Sequence, residues 1–512
     1  MTNSPVFRRV LLSFSSLLLL LSVLGRSQSS AAPAAPASEE ARLKNTGSVK
    51  AVEAMVERIF AKRIFAKAAA ASASASVEFA SPFQFSLLAP GTSCGEQPRT
   101  VAPPCFSVAD GSAAGTIAIA GTTASELGAG LGFYLREIAN QTIGWNRGGG
   151  SNIFVPGRAG AAAWPAVGAG TTVVRRRNTP WSYMMNVCTH SYSLVWYSWD
   201  DWEAFLDWMS LSGINLFLAM TGQEEVQYKV FQKLGLKDLD IRKWFNGPAL
   251  LTWSRGQNEY GSNIAGPLPR SWMQGQWELQ KRILERSRSL GMSGQLPGFQ
   301  GNVPIALKSV LRDSNMTDNK LGTAWMDALD PEYAKIADMW MAEIVADFGT
   351  DHWWQLDGYF NGGTAPWLTK GDESWSINAP STAASDEQLL PFALDDALPD
   401  FPDWKARGTQ AYTGLNRTDP DAIWSFQGWA FVNWKTQQQA SSLKSFVDAT
   451  PKGKFNVIDM SVNGDGEWKM WNNASFWGAK FVWTTLHDFG GTDGMKGWLS
   501  RINQIPFGTP EG

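Results

Sequence analysis

Polar side chains follow one strand-like apolar segment after another in the second part of this chain. Because strand ends on one side of a parallel barrel form the site, these side chains are the first candidates for chemistry. They are amides, hydroxyls, a thiol, an imidazole, indoles and carboxylates, with no lysine or arginine among them. Such a set suits a neutral sugar better than a phosphate. The candidates are Asn186, Cys188, Tyr192, Gln223, Glu224, Asn302, Asn361, Trp429, His487, Asp488 and Glu511.

The carboxylates decide which reaction the chain is able to catalyse. Glu511 follows a tryptophan-rich run of strand-like segments, where a glycosidase barrel places its nucleophile. Glycoside hydrolysis normally takes two flanking carboxylates. The segment that follows Asp357 ends in Asn361, Gly362 and Gly363, so no second carboxylate stands directly at the end of that predicted strand. Asp357 is expected lower in the barrel, and Asp372 and Glu373 belong to a loop that holds an acid poorly in place.

The elements that position these side chains alternate between strand and helix from about residue 181. Apolar strands are predicted at 183–188, 214–220, 294–299, 352–360, 422–427, 455–460 and 480–486. Helices are predicted at 200–212, 271–290, 331–348 and 436–449. Seven or eight such units predict a parallel α/β fold, a (β/α)8 TIM-type barrel over residues 178–512. A doubly wound open sheet is the alternative, but no glycine-rich phosphate loop follows the first strand.

The chain before the barrel divides into three parts. Residues 1–28 resemble a secretory signal peptide, with Arg8 and Arg9 before an apolar run; a signal anchor is the alternative. Residues 29–76 are rich in Ala, Ser and Pro and predict a low-complexity linker with one short helix around 52–67. Residues 77–175 predict a small α/β domain. Sequons at Asn140, Asn315, Asn416 and Asn473 agree with the secretory route.

Composition excludes several classes of function. A formal net charge of −3 gives no basic face for nucleic acid. The 26 tryptophans suit both core packing and sugar-binding surfaces. No Cys and His spacing predicts a metal site, and no cofactor is indicated. Cys94 and Cys105 are able to pair in an oxidising compartment, which leaves Cys188 as a buried thiol within a strand.

Several motifs in the barrel region resemble the alpha-N-acetylglucosaminidases, glycoside hydrolase family 89. The resemblance covers roughly residues 117–512, and the motifs occur in the family's order. They are Asn186-Val187-Cys188-Thr189, Gly213-Ile214-Asn215-Leu216, Gly222-Gln223-Glu224, Gly266-Pro267-Leu268-Pro269, Gly301-Asn302-Val303-Pro304, Gly349-Thr350-Asp351-His352, Gln427-Gly428-Trp429 and Leu486-His487-Asp488-Phe489-Gly490-Gly491.

The resemblance implies a small N-terminal domain, a (β/α)8 catalytic domain and a helical C-terminal domain. It implies removal of terminal alpha-linked N-acetylglucosamine from glycans such as heparan sulfate, with retention of configuration. It also implies a lysosomal, vacuolar or extracellular location, with no membrane contact after signal cleavage. The oligomeric state is not indicated.

This sequence departs from the family pattern at specific positions. The family's acid/base glutamate follows a Phe-Asn pair, but Phe360-Asn361 is followed by Gly362. The nucleophile context is kept as Pro510-Glu511-Gly512, with Thr509 in place of alanine, and Asp488 replaces an asparagine. The helical C-terminal domain does not follow, so truncation is expected.

Three interpretations stay open: an active hydrolase, a catalytically impaired sugar-binding relative, and an incomplete gene model of an active enzyme. The candidate residues also have simpler roles. Asn361 suits a turn, Gln223 and Glu224 suit a helix cap, and His487 suits a buried hydrogen bond. Tyr192 and the tryptophans suit a core, and Glu511 suits a solvated chain end.

Overall fold

The computed structural model describes residues 45–60, 79–89, 104–145, 151–153, 164–177, 179–192, 194–257, 260–263, 265–318, 323–357, 402–429, 431, 437–460, 476–485 and 500. Strands and helices are numbered here along the described chain. The helices are α1 (Val49–Glu57), α2 (Ala124–Phe133), α3 (Thr189–Tyr192), α4 (Trp199–Leu211), α5 (Gln223–Lys233), α6 (Asp238–Trp244), α7 (Leu251–Arg255), α8 (Arg270–Ser289), α9 (Pro331–Phe348), α10 (Pro402–Asn416) and α11 (Gln437–Asp448).

A four-stranded mixed sheet precedes the barrel. Its strands are β1 (Phe83–Leu87), β2 (Cys105–Asp110), β3 (Ile117–Gly121) and β4 (Thr172–Arg176), in the order β1-β3-β2-β4. Helix α2 packs against this sheet on one side and against α4 of the barrel on the other. Added side-chain carbons at Gly128 and Gly132 would lie 2.1 Å from the Ser210 Oγ and 1.8 Å from the Leu211 carbonyl oxygen. Glycine therefore permits this close helix crossing.

Helix α1 agrees with the short helix predicted around residues 52–67, but it begins earlier, at Val49, and its burial shows that residues 45–60 are not a linker. Ser48 caps its N-terminus, and Val52, Met55 and Val56 are buried on one face. Phe60, just beyond it, stacks on Phe79 with 5.2 Å between ring centroids. Burial of this apolar stripe makes residues 45–60 part of the folded core.

The second sheet has seven parallel strands in the order β14-β13-β12-β11-β7-β6-β5. They are β5 (Tyr183–Met184), β6 (Leu216–Leu218), β7 (Ser293–Pro297), β11 (Trp353–Gln355), β12 (Ile423–Gln427), β13 (Phe455–Asp459) and β14 (Lys480–Trp483). Tyr183 of β5 packs against Ile458 of β13 in a cluster that includes Val482 of β14. The two ends of the sheet therefore approach each other, which confirms the predicted TIM-type barrel.

Successive residues of these strands point alternately outward to the helices and inward to the barrel. Phe426 and Phe455 face outward, and Phe426 contacts Phe431 edge-on at 5.9 Å between centroids. The inward positions form an unusually polar interior that includes Ser293, Gln295, Gln355, Ser425, Gln427 and Asn456, all of them buried. Both amide atoms of Gln295 and of Gln427 have no hydrogen-bond partner among the described residues.

Local sequence signals explain where the helices begin and end. Ser198 and Asp201 form a reciprocal capping box at α4. Asp330 caps α9, and Pro331 occupies its first turn. Helices α4, α8, α9 and α11 match the predicted ones within one residue at either end. Gly213, with φ of 76°, ends the α4 turn in a conformation that glycine adopts without strain.

The structure corrects the predicted first barrel strand. Extended pairing stops at Met184, because Met185 has φ of 97° and turns the chain. Cys188 therefore lies in the turn before α3, and not in a strand. An antiparallel sheet of β8 (Asn302–Pro304), β10 (Thr323–Met326) and β9 (Met316–Asp318) follows β7 and was not predicted.

Cys105 takes part in a disulfide bond, and its expected partner, Cys94, lies outside the described residues. Among the helices that the structure describes, none is long and apolar enough to cross a bilayer.

Candidate active site

The first candidate residues lie on the turn after β5. The Asn186 carbonyl accepts from Thr189 N at 3.0 Å, and the Asn186 side-chain oxygen accepts from Cys188 N at 3.3 Å. Cys188 is buried, and burial raises the pKa of its thiol to about 11. The thiol is therefore neutral near neutral pH. The side chain of Tyr192 lies outside the described residues, although its backbone ends α3.

The next candidates, Gln223 and Glu224, occupy the first turn of α5 after β6. Gly222 precedes them with φ of 73°. Both side chains are buried, and both are already hydrogen-bonded within the protein. Gln223 donates to the Arg255 carbonyl oxygen at 2.8 Å, and Glu224 accepts from Arg255 Nε at 2.9 Å. Helix initiation and internal pairing thus account for the observed contacts of these two residues.

Arg255, at the end of α7, is the residue that the sequence analysis missed. Its guanidinium contacts Glu224, donates to Gln276 at 3.0 Å and lies 3.2 Å from Nδ1 of His190. It was missed because it lies in the connection between β6 and β7 and does not follow a strand directly. Its partner Glu224 is 31 positions away, so local spacing gives no signal.

Asn302 joins the same network from the other side. Its amide donates to the Gln257 carbonyl oxygen at 3.0 Å, and its side-chain oxygen accepts from the Thr323 hydroxyl. Gln257 in turn donates to the Gly298 carbonyl oxygen at 2.8 Å. His190, Gln223, Glu224 and Asn302 are therefore brought together through Arg255 and Gln257, as a buried frame at one end of the barrel.

A second group of side chains lies where β11 and β12 end. The Asp357 carboxylate accepts from Gln427 N at 2.9 Å. Burial raises the pKa of the Tyr183 hydroxyl, and the charge of Asp357 raises it further. Trp429 is half-buried and packs with Tyr183 against Ile458 and Met460. Trp429 thus belongs to this group, on a different part of the barrel from the Arg255 frame.

The remaining candidates, Asn361, Gly362, His487, Asp488 and Glu511, lie outside the described residues. Within the part of the chain that is described, no group of three or more His, Cys, Asp or Glu side chains is arranged to hold a metal ion. A surface cleft of about 460 Å³ lies beside the frame, between α4 and α8. It is lined by Trp199, Trp272 and Gln276 among others, and it contains none of the candidate residues.

Fold and frame together define a class of protein: a parallel α/β barrel with buried, hydrogen-bonded polar side chains near its strand ends, among them the Arg255–Glu224 ion pair. Residues 182–509 match the family model described as the alpha-N-acetylglucosaminidase (NAGLU) tim-barrel domain. The human alpha-N-acetylglucosaminidase is 32% identical over 413 residues, which are 78% of this chain and 49% of the human protein.

Solved structures agree with the family match at the level of the fold. The family 89 glycoside hydrolase from Clostridium perfringens in complex with 2-acetamido-1,2-dideoxynojirmycin superposes with a TM-score of 0.64 at 23% identity. That comparison covers 88% of this chain and 44% of the bacterial one. The chain therefore belongs to the alpha-N-acetylglucosaminidase family, and it spans about half the length of the relatives it matches.

Proposed function

We propose that this chain is a glycoside hydrolase that binds terminal alpha-linked N-acetylglucosamine at the strand ends of its barrel. The family match over residues 182–509 carries this proposal, because that range includes every described candidate residue. The neutral character of the frame supports it. Arg255 and Glu224 compensate each other, and burial, together with the Arg255 charge, holds the pKa of His190 well below its ordinary value.

The proposed substrate contacts come from the strand ends. Asn186, Cys188 and Tyr192 follow β5, and Trp429 follows β12. Asn361, His487 and Asp488 are added on the sequence motifs alone. Gln223, Glu224 and Asn302 are proposed to support these contacts, since their described polar atoms already bond within the protein.

The proposed reaction is hydrolysis with retention of configuration. The Glu511 carboxylate attacks the anomeric carbon while the glycosidic carbon–oxygen bond breaks, and an acid protonates the departing oxygen. Water then hydrolyses the glycosyl–enzyme ester. Such a mechanism places two carboxyl groups ~5–5.5 Å apart. Because Gly362 occupies the position of the acid, the first step lacks a proton donor, at a typical rate cost of ~10²–10⁴-fold.

A second candidate function is sugar binding with little or no hydrolysis. The glycine at position 362 favours it, since binding does not require the acid. For either function the natural ligands proposed are glycans such as heparan sulfate. The proposed location is the secretory pathway, ending in the lysosome, the vacuole or the extracellular space. The partner is carbohydrate in both cases.

Binding and hydrolysis are tested separately. Isothermal titration calorimetry with N-acetylglucosamine measures binding. Hydrolysis is followed with an aryl alpha-N-acetylglucosaminide and with the disaccharide GlcNAc-alpha-1,4-galactose. This disaccharide is the substrate bound in a solved structure of the Clostridium perfringens enzyme. We expect binding, slow aryl cleavage and no measurable disaccharide cleavage. Absence of binding would refute both functions.

Restoring the acid separates the two functions. Gly362→Glu should raise disaccharide cleavage more than aryl cleavage, because a poor leaving group needs the proton most. The gain should vanish in the Gly362→Glu, Glu511→Gln double variant, which lacks the nucleophile. Binding without any gain from Gly362→Glu would favour the sugar-binding relative over the hydrolase.

A further inference from the structure

Arg255 lies where three segments of the barrel meet. Its guanidinium reaches the β5 turn through His190, the first turn of α5 through Glu224, and α8 through Gln276. Its own carbonyl oxygen accepts from Gln223 at 2.8 Å. The side chain is 3% exposed, so these contacts form away from solvent screening.

The contact between Arg255 and His190 fixes one protonation form of the imidazole. A guanidinium only donates hydrogen bonds, so Nδ1 of His190 must accept at the observed 3.2 Å. The ring proton of the neutral imidazole is therefore on Nε2. His190 is fully buried, and its Nε2 has no partner among the described residues.

The His190 ring is tied to the candidate substrate contacts by the backbone. His190 N donates to the Val187 carbonyl oxygen at 3.2 Å, within the turn whose Thr189 N bonds to Asn186 at 3.0 Å. The His190 backbone thus belongs to the same hydrogen-bonded turn as Asn186 and Cys188, and the contact of its ring with Arg255 links that turn to α5.

We infer that Arg255 is a positioning residue, which acts through Nδ1 of His190 to hold the Asn186–Cys188 turn in the geometry that binds sugar. The inference rests on the proposed function. Lysine is a poor replacement, because one ammonium cannot meet the planar geometry of three partners at once.

Arg270 provides a matched control beside the same turn. It pairs with Glu225, the residue after Glu224, and donates to one carboxylate oxygen at 2.7 Å. The Arg270 side chain is 28% exposed, and that of Glu225 is 6% exposed. Arg255→Lys and Arg270→Lys thus make the same chemical change at adjacent carboxylates, one inside the frame and one outside it.

The first test measures N-acetylglucosamine affinity by calorimetry for the full chain and both lysine variants. Arg255→Lys should weaken binding by about tenfold, as expected when charged hydrogen bonds are lost. Arg270→Lys should remain within about twofold of the unmodified chain, because the described contacts of Arg270 are with Glu225, Met273 and Tyr228 and not with the β5 turn. Equal affinities for the two variants would overturn the inference.

Two isosteres of His190 test the role of Nδ1 and guard against a folding defect in Arg255→Lys. Asparagine places its side-chain oxygen near the position of Nδ1, whereas glutamine reaches toward Nε2. His190→Asn should therefore keep affinity within about threefold, and His190→Gln should lose about tenfold. The reverse order would assign the function to Nε2 and overturn the inference. If the unmodified chain binds no sugar, the proposed function fails, and this inference fails with it.

Discussion

Gly222 holds the first turn of α5 against α8, and its replacement by alanine should be costly for two separable reasons. Its φ is +73°, a left-handed conformation. An L-residue pays about 1–2 kcal/mol there. An added Cβ would also lie 2.7 Å from the Gln276 carbonyl oxygen and 2.8 Å from the Trp277 Cα. These are backbone atoms of a long helix, so they cannot rotate away, and overpacking adds about 1–3 kcal/mol. The expected loss is about 2–5 kcal/mol.

Gly235 supplies the control at the other end of the same helix. Its φ is +92°, and an added Cβ would meet no atom within 4 Å. Gly235→Ala should therefore lose only the conformational part, about 1–2 kcal/mol. Alanine also restricts the unfolded chain in both variants, by a similar ~0.4–1 kcal/mol, so the difference between the variants isolates the steric contact.

The assay is denaturant unfolding of both variants and the unmodified chain, with the free energy of unfolding compared at equal m-values. Calorimetry with N-acetylglucosamine follows on the folded variants. Gly222→Ala should also weaken binding, because it displaces Gln223 and Glu224, while Gly235→Ala should not. Equal losses of stability in the two variants would refute the argument that close approach to α8 fixes this turn.

Three further predictions concern single side chains. The Asp419 hydrogen bond raises the pKa of His352. The stability that this pair contributes is therefore fully present below the unfolded pKa of His352, about 6.5, and is lost as pH rises through the folded pKa. His352→Gln should therefore lower the free energy of unfolding more at about pH 5 than at about pH 8. Gln295→Met should leave the free energy of unfolding unchanged or raise it by about 1–2 kcal/mol, because both amide atoms of Gln295 are buried without a partner among the described residues. A clearly lower melting temperature would contradict this. Cys188 should resist iodoacetamide at about pH 8 in the folded chain and react once unfolded, since burial raises the pKa of its thiol to about 11.

The barrel could be predicted because its signals are local. Helices α8 and α9 are long enough for their apolar stripes to stand out, and Gly291 and Gly349 follow them closely. Strand β6 lies in the continuous apolar run of residues 216–220, which is typical of a parallel strand buried on both faces. The ends of the barrel strands were less predictable. The first strand stopped at Met184 because of one backbone torsion at Met185, which no side-chain pattern encodes.

The frame around the site could not be predicted, because it depends on pairing over long distances. Arg255 meets Glu224 from a short helix between two barrel strands, and Asn302 meets Thr323 across an unpredicted antiparallel sheet. The rule that sites lie at strand ends selected Gln223, Glu224 and Asn302 as candidates for substrate binding, and the structure shows all three to be buried. It gave no means of knowing that their hydrogen-bonding capacity is used by the protein itself.

Those internal bonds bear on whether another carboxylate is able to act as the acid that the proposed function lacks at position 362. A general acid must reach the departing oxygen within hydrogen-bond distance and carry a proton there. Glu224 is already engaged within the protein, because its carboxylate oxygens accept from Arg255 Nε at 2.9 Å and from Arg255 Nη2 at 3.4 Å. The Asp357 carboxylate accepts a hydrogen bond from Gln427 N at 2.9 Å, where β11 and β12 run side by side. Both carboxylates thus already accept hydrogen bonds from within the protein. It follows that Gly362→Glu, rather than a change at Glu224 or Asp357, is the substitution expected to supply the missing proton.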